Sequence, residues 1–221
     1  VEAILETPTR KPVLINKLVS SKLFWFTMIG FLFSYPLIKS IQRRLPADLP
    51  TYTTVPYFNL TDENGTSFGS SNLKGKVYIA NFIFTSCQTS CPTLLKAVQT
   101  VQHRLRGVID RAAIVSFTVD PETDTPKVLF NKAREMNAHA VVWRFLTGPK
   151  AEINNLLVDG FKVPVGKKEI ANNLMDVAHS NKLVLVDQQG VIRGYYSSEK
   201  DGINQLMIDT GLLINTTKKS I

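Results

Sequence analysis

Residues 76–84 (KVYIANFIF) constrain this chain more than any other stretch. The run is almost continuously apolar and rich in strand-forming residues, so both faces of the strand it forms must be covered. A strand covered on both faces belongs in the interior of a parallel sheet, not on a half-wet antiparallel one. Residues 112–119 (AAIVSFTV) repeat the pattern. Between the two runs, Leu94, Leu95, Val98, Val101 and Leu105 recur at three- and four-residue spacing. That period places them on one stripe of an amphipathic helix, the crossover a parallel pair requires.

The rest of the chain continues the alternation. Pro126 opens a helix running to about Asn137 with Val128, Leu129 and Ala133 inward; residues 141–146 form a third strand and 149–158 a third helix. Residues 182–186 and 191–196 flank the turn DQQG and read as a hairpin, followed by a last helix over 202–213. An additional hairpin is expected within 56–68, turning at Glu63-Asn64-Gly65. This order predicts an α/β thioredoxin-like (peroxiredoxin-like) fold with an N-terminal β-hairpin extension. No repeats occur, and FGSSNLKGK lacks the spacing and the preceding buried strand of a phosphate loop.

With 44% hydrophobic and 20% charged residues, extensive disorder is excluded, and two cysteines are too few for a disulfide scaffold. The net charge of +8 invites a nucleic-acid reading until it is located. Residues 1–45 hold seven basic and two acidic side chains, which leaves only +3 for the other 176 residues, so no nucleic-acid partner is expected. Within that basic segment, residues 23–38 (LFWFTMIGFLFSYPLI) carry no charge. Sixteen helical residues span about 24 Å, and extension through Leu18 and Val19 with Lys22 snorkelling gives about twenty-one residues. Trp25 and Tyr35 lie near the two ends, where amphipathic rings favour headgroups. The competing readings are a cleaved signal peptide, against which KSIQRRLP offers no small-residue cleavage site, and a buried core helix, against which the basic flanks argue. A single transmembrane helix in residues 1–45 is therefore expected, with the lipid bilayer as its partner. Residues 46–221 form the α/β domain, and Pro46, Pro50 and Pro56 mark an extended tether at its start.

Both cysteines lie in TSCQTSCP, directly after the first buried strand. Pro92 favours a helix start, which puts Cys91 at or near the N-cap, where the helix dipole favours thiolate. On a helix a four-residue spacing brings both sulfurs to one side with Cα atoms about 6 Å apart, compatible with a disulfide or with two thiolates on one soft metal. Two ordinary buried cysteines are the plainer alternative. Of the histidines, His103 in QHRLR reads as a solvated helix residue and His139 as a loop residue. His179 ends a polar loop just before a strand and can face the cysteine loop at one sheet edge. Two thiolates and one imidazole would select copper over hard cations.

With these residues in place, the chain resembles the Sco/SenC family of thioredoxin-like copper-binding proteins that assist cytochrome c oxidase assembly. The resemblance covers roughly residues 55–210. It rests on CxxxCP at 87–92, VDPETDTP at 119–126, WRFLTG at 143–148, and His179 ahead of LVLVDQQGVIRGYY. It implies that Cys87, Cys91 and His179 bind copper, as Cu(I), Cu(II) or both, and that Cys87 and Cys91 can cycle to a disulfide. Asp120 matches the family's acidic residue near the metal site, the plainer reading being a loop-capping carboxylate. Asp124 is expected to cap the Pro126 helix. Two positions depart from the family pattern: Ala178 precedes the histidine where an acid is frequent, and Gln88 follows the first cysteine where proline is frequent.

Two functions follow from the resemblance. One is a membrane-tethered copper metallochaperone for the dinuclear site of cytochrome c oxidase, delivering to an oxidase subunit or its thiols. The other is a thiol–disulfide oxidoreductase or redox sensor using the same pair, re-reduced by a thioredoxin-like partner. Hydrolytic or transferase chemistry is not expected. The resemblance also places the carboxyl-terminal domain outside the cytoplasm, facing the periplasm from a bacterial inner membrane ahead of the mitochondrial alternative.

Overall fold

Strand β3 (Val77–Ile83) is buried at every position, as is its parallel neighbour β4 (Ala112–Thr118). The two-residue strand period explains why neither run could alternate with polar residues. Tyr78, Ala80, Phe82, Val115 and Phe117 point into one core, while Val77, Ile79, Ile83 and Ile114 point into a second on the opposite face. The computed structural model describes residues 21–41, 49–87, 91–164 and 170–216. The chain divides into two compact units, residues 1–48 and 49–221.

In the second unit, β1 (Asn59–Asp62) and β2 (Ser67–Gly69) form the expected hairpin, with Gly65 at φ +76° in its turn. A short helix α2 (Ser70–Leu73) leads into β3. Helix α3 (Cys91–Leu105), β4, helix α4 (Pro126–Glu135) and β5 (Trp143–Thr147) follow. Helix α4 begins at the proline predicted for it, with Thr125 as N-cap. Next come α5 (Lys150–Asn154), continued by a wider helical turn over Asn155–Gly160, and α6 (Leu174–His179). The hairpin β6 (Lys182–Val186) and β7 (Ile192–Ser197) and helix α7 (Lys200–Thr216) complete the fold. The seven strands are ordered β2-β1-β5-β4-β3-β6-β7, with β3, β4 and β5 parallel in the middle. Helices α3, α4 and α7 cover one face; α5, α6 and Val55, Phe58 and Leu60 of the N-terminal extension cover the other.

Polar side chains tie the strands together inside this apolar interior. Trp143 Nε1 donates to Ser116 Oγ (2.8 Å), which donates to Asn81 Oδ1 (2.8 Å), joining β5, β4 and β3. Arg144 pairs with Glu63 (2.9 Å) and Asp62 (3.4 Å), and Glu63 also accepts from the Phe145 amide. The WRFLTG segment thus fastens the hairpin extension to the sheet. At the β6–β7 turn, the buried Asp187 carboxylate accepts from the Gln189 and Val191 amides and from Arg193 (3.0 Å).

In the first unit, α1 (Lys22–Ile41) carries the uncharged run, with Leu23, Phe26 and Phe31 exposed. Thr27 and Ser34 bond back onto the Phe24 and Phe31 carbonyls, and Pro36 lies inside the helix. Among the described residues, no helix is long and apolar enough to cross a membrane. The expected helix forms, over Lys22–Ile41. Its uncharged run reaches about 24 Å against a ~30 Å hydrocarbon core, and its polar residues dilute it. Leu18, Val19 and tether residues 43–48 lie outside the described residues.

Candidate metal centre

The site starts where β3 runs out. After Ile83 the chain turns through Phe84 and Thr85, and the Cys87 amide closes the turn on the Phe84 carbonyl (3.2 Å). Cys91 opens α3, one residue ahead of Pro92, and its amide donates to Cys87 Sγ (3.4 Å). The two are thiols and are not joined in a disulfide. Gln88 lies outside the described residues. Cys87 is half-buried, whereas Cys91 is only 2% exposed and belongs to the packed start of the helix.

That burial corrects the expected thiolate. Desolvation pushes the Cys91 thiol up to about 11; a hydrogen bond from the Phe84 backbone opposes this, while Cys87 and the negative charge of Asp124 add to it. The helix dipole contributes a fraction of a charge in the first turn, and removing a sulfur from water outweighs it here. A small cavity of about 100 Å³ lies against the pair, walled by Phe84, Cys87, Cys91, Lys96, Lys132 and Met136.

Asp124 does more than its expected cap, and elsewhere. Thr125 caps α4 by accepting from the Val128 amide, while the fully buried Asp124 carboxylate reaches back to the cysteine loop. It accepts from the Thr85 amide (3.1 Å) and the Thr85 hydroxyl, and from Thr118 Oγ1 at the end of β4. Thr85 and Thr118 are thereby clamped to one carboxylate, and Cys87 hangs two residues beyond the clamp. Asp120 shapes the same turn through its backbone: its amide donates to Thr118 Oγ1 (3.0 Å) and its carbonyl accepts from Thr123 and Asp124.

His179 lies in a short helix where a loop was expected. Asn173 caps α6 by accepting from the Asp176 amide (3.0 Å), Val177 and Ala178 are buried, and His179 is exposed as the last helical residue. Ala178, where the family often carries an acid, packs into the core. Asn181, at φ +49°, then turns the chain into β6. His179 meets the cysteine region through Phe84, the two rings packing edge to face at 6.2 Å. Helix α6 covers one face of the sheet and α3 the other, and Phe84, which the imidazole touches, also lines the cavity beside the thiols. Among the described residues, no three His, Cys, Asp or Glu side chains are grouped closely enough to hold a metal ion.

Phe84, Thr85, Asp124 and Met136 were not read from the sequence as parts of the site. The only trace available was the position of Asp124 in VDPETDTP; the partners of the other three depend on the fold.

The sequence model of the SCO1/SenC family matches residues 47–210. The chain is similar to the SCO1 protein homolog of Bacillus subtilis, 32% identical over 162 residues, which are 72% of this chain and 82% of that one. Its structure resembles that of BsSco, a member of the Sco family of cytochrome c oxidase assembly proteins in which a disulfide switch was identified. That likeness has a TM-score of 0.63 and 28% identity over 78% of this chain and 99% of BsSco. Copper-bound ScoI of Bradyrhizobium japonicum shares the fold, with a TM-score of 0.57 and 24% identity over 73% of this chain and 99% of ScoI.

Proposed function

Because the chain belongs to the SCO1/SenC family, we propose that it is a membrane-tethered copper metallochaperone for the dinuclear copper site of cytochrome c oxidase. The observation that carries this reading is the pair of thiols on one cavity at the end of β3, with His179 packed on Phe84, which lines the same cavity. Soft sulfur donors match copper as cargo, and paired thiolates favour its cuprous state. Cys87 and Cys91 release their protons as they take the ion. His179 completes the set by moving past Phe84, and incoming client thiols displace these ligands one at a time. Asp120, in the turn beside the clamp, would contribute to the site's polarity and to client contact.

Competitive Cu(I) titration of the full chain tests the assignment. Cys87→Ser/Cys91→Ser is expected to lower affinity by at least a thousandfold, since both anionic donors are lost. Unchanged affinity would overturn the reading. A second function, thiol–disulfide exchange, is supported by the unequal setting of the pair. The half-buried Cys87 is accessible to a partner disulfide, and the buried Cys91 is placed to resolve the mixed one. Reduction of a client disulfide with copper chelated, lost in the same variant, separates this reading from copper transfer. A thioredoxin-like reductant would regenerate the pair.

Helix α1 would supply the tether, with Lys22 reaching toward headgroups to extend its short apolar run and the α/β domain held outside the cytoplasm. The full chain should resist alkaline carbonate extraction and a chain beginning at Leu49 should not. Equal extraction of both would remove the membrane from the proposal.

A further inference from the structure

The carboxyl end of α3 borders a second cavity, of about 340 Å³, within the ~300–1,000 Å³ of small-molecule sites. His103 lies twelve helical residues from Cys91, about 18 Å along the axis, so this cavity is separate from the one at the cysteines. Two segments wall it: Gln102, His103, Arg106 and Ile109 from α3 and the tight turn after it, and His139 and Val142 from the loop ahead of β5. The buried Gln102 side chain fastens the two segments. Its Nε2 donates to the Asn137 carbonyl (3.1 Å), and its Oε1 accepts from the His139 amide (2.7 Å). The His139 carbonyl in turn accepts from the Val142 and Trp143 amides (2.8 and 2.9 Å). His139 is thereby held, at its backbone, beside the helical turn that carries His103 and leads to Arg106.

Basic residues at a helix carboxyl end are ordinary, since they offset the helix dipole. That accounts for Arg104, which is bonded to Asn204 of α7 (2.8 Å), but not for His139, which arrives from another segment. Among the described residues, the side chains of His103, Arg106 and His139 form no hydrogen bond or ion pair, and no acidic residue lines the cavity. Arg144 and Arg193, by contrast, are each paired with a carboxylate. A guanidinium presents two parallel N–H donors, and each imidazole adds one, whether neutral or charged. Four donors suit the three oxygens of a terminal phosphate better than the two of a carboxylate. A cation held by the two imidazoles would instead face the Arg106 charge. Ile109 and Val142, both packed on the core, give the wall an apolar side.

We propose that this cavity binds the terminal phosphate of a small organic monoester. The Arg106 guanidinium takes two of its oxygens, His103 and His139 take the third, and the body of the ester lies against Ile109 and Val142. Binding uses hydrogen bonds, charge and apolar contact, and no covalent bond is made or broken. It is independent of copper, so its failure would leave the metallochaperone reading standing.

The test titrates the full chain, without copper and in a maltoside detergent free of phosphate, with phenyl phosphate while proton NMR follows the imidazole C2–H signals. The chain has three histidines, so His103→Gln, His139→Gln and His179→Gln assign every signal and His179 serves as the internal control. The His103 and His139 signals should shift together and saturate, and that of His179 should stay. Arg106→Gln should raise the dissociation constant about tenfold, whereas Arg104→Gln, in the same basic run, should change it less than about twofold. Inorganic phosphate should bind about fivefold more weakly, having no body to cover Ile109 and Val142. No saturable shift, or a parallel shift of all three imidazoles, overturns the proposal by reducing it to general attraction to a basic surface. Equal weakening by Arg104→Gln and Arg106→Gln does the same. Equal affinity for inorganic and phenyl phosphate overturns the organic ester, and benzoate binding as tightly as phenyl phosphate overturns the choice of phosphate.

Discussion

Each end of the central sheet is organised by a buried aspartate, and the two are partnered in opposite ways. At the β6–β7 turn, Asp187 accepts from two backbone amides and pairs with Arg193, which also donates to the Leu49 and Pro50 carbonyls. At the cysteine end, Asp124 accepts from Thr85 and Thr118, and among the described residues no cation pairs with it. One carboxylate is paired with a guanidinium and fastens a turn, its charge reaching the buried Tyr78 hydroxyl and no thiol. The other holds its loop through neutral donors and leaves its charge acting on Cys91. Copper binding at the thiols is better served by the second arrangement, in which a negative potential survives beside them.

The largest effect that sharpens this contrast is on stability. Asp124→Ala leaves the Thr85 amide and Thr118 hydroxyl without their acceptor inside the protein and should cost about 3 kcal/mol in urea unfolding. Asp187→Ala should cost about 2 kcal/mol, because Arg193 keeps its two carbonyl acceptors. Only Asp124→Ala should also weaken copper binding, since Cys87 depends on the Thr85 clamp. An equal loss of copper in both variants would break the distinction.

A smaller effect reports the charge itself. With its thiol pushed up to about 11, Cys91 is almost wholly protonated at neutral pH. Its alkylation by iodoacetamide, followed by mass spectrometry, should rise about tenfold per pH unit between pH 7 and 10 as thiolate forms. Asp124 raises the thiol by disfavouring a second negative charge, so Asp124→Asn should speed Cys91 alkylation about two- to threefold at fixed pH. Asp187→Asn should leave it unchanged. A Cys91 rate that is flat across this pH range would show that access, not protonation, limits the thiol.

The same contrast separates what the residue order could reveal from what it could not. β3 and β4 were legible because a strand covered on both faces has to be apolar along its whole length, and the DQQG turn because Gly190 sits at φ +81°. Pro126 marked the start of α4 for a similarly local reason. Asp124 was read as a cap because its true partner, Thr85, lies thirty-nine residues away and is brought close only by the parallel pairing of β3 and β4. Cys91 was read as a dipole-favoured thiolate because nothing local shows that its sulfur is packed away from water. His179 was read as a loop residue because α6, with only six residues, is too short for a periodic pattern to show.

The hydrogen-bonded line from Trp143 through Ser116 to Asn81 has a consequence for how the chain can go wrong. Parallel strands that are apolar from end to end have many near-equivalent alignments, because sliding one past the next exchanges one greasy contact for another. These three polar groups remove the degeneracy: a slip of β3 against β4 would leave Asn81 and Ser116 unmatched in the dry interior at about 1–3 kcal/mol each. The line works like the wards of a lock, admitting one alignment of three interchangeable-looking strands. That alignment also sets Ile83 beside Thr118 and so brings Thr85, two residues on, to the carboxylate that Thr118 shares, and the cysteine loop inherits its position from a tryptophan two strands away.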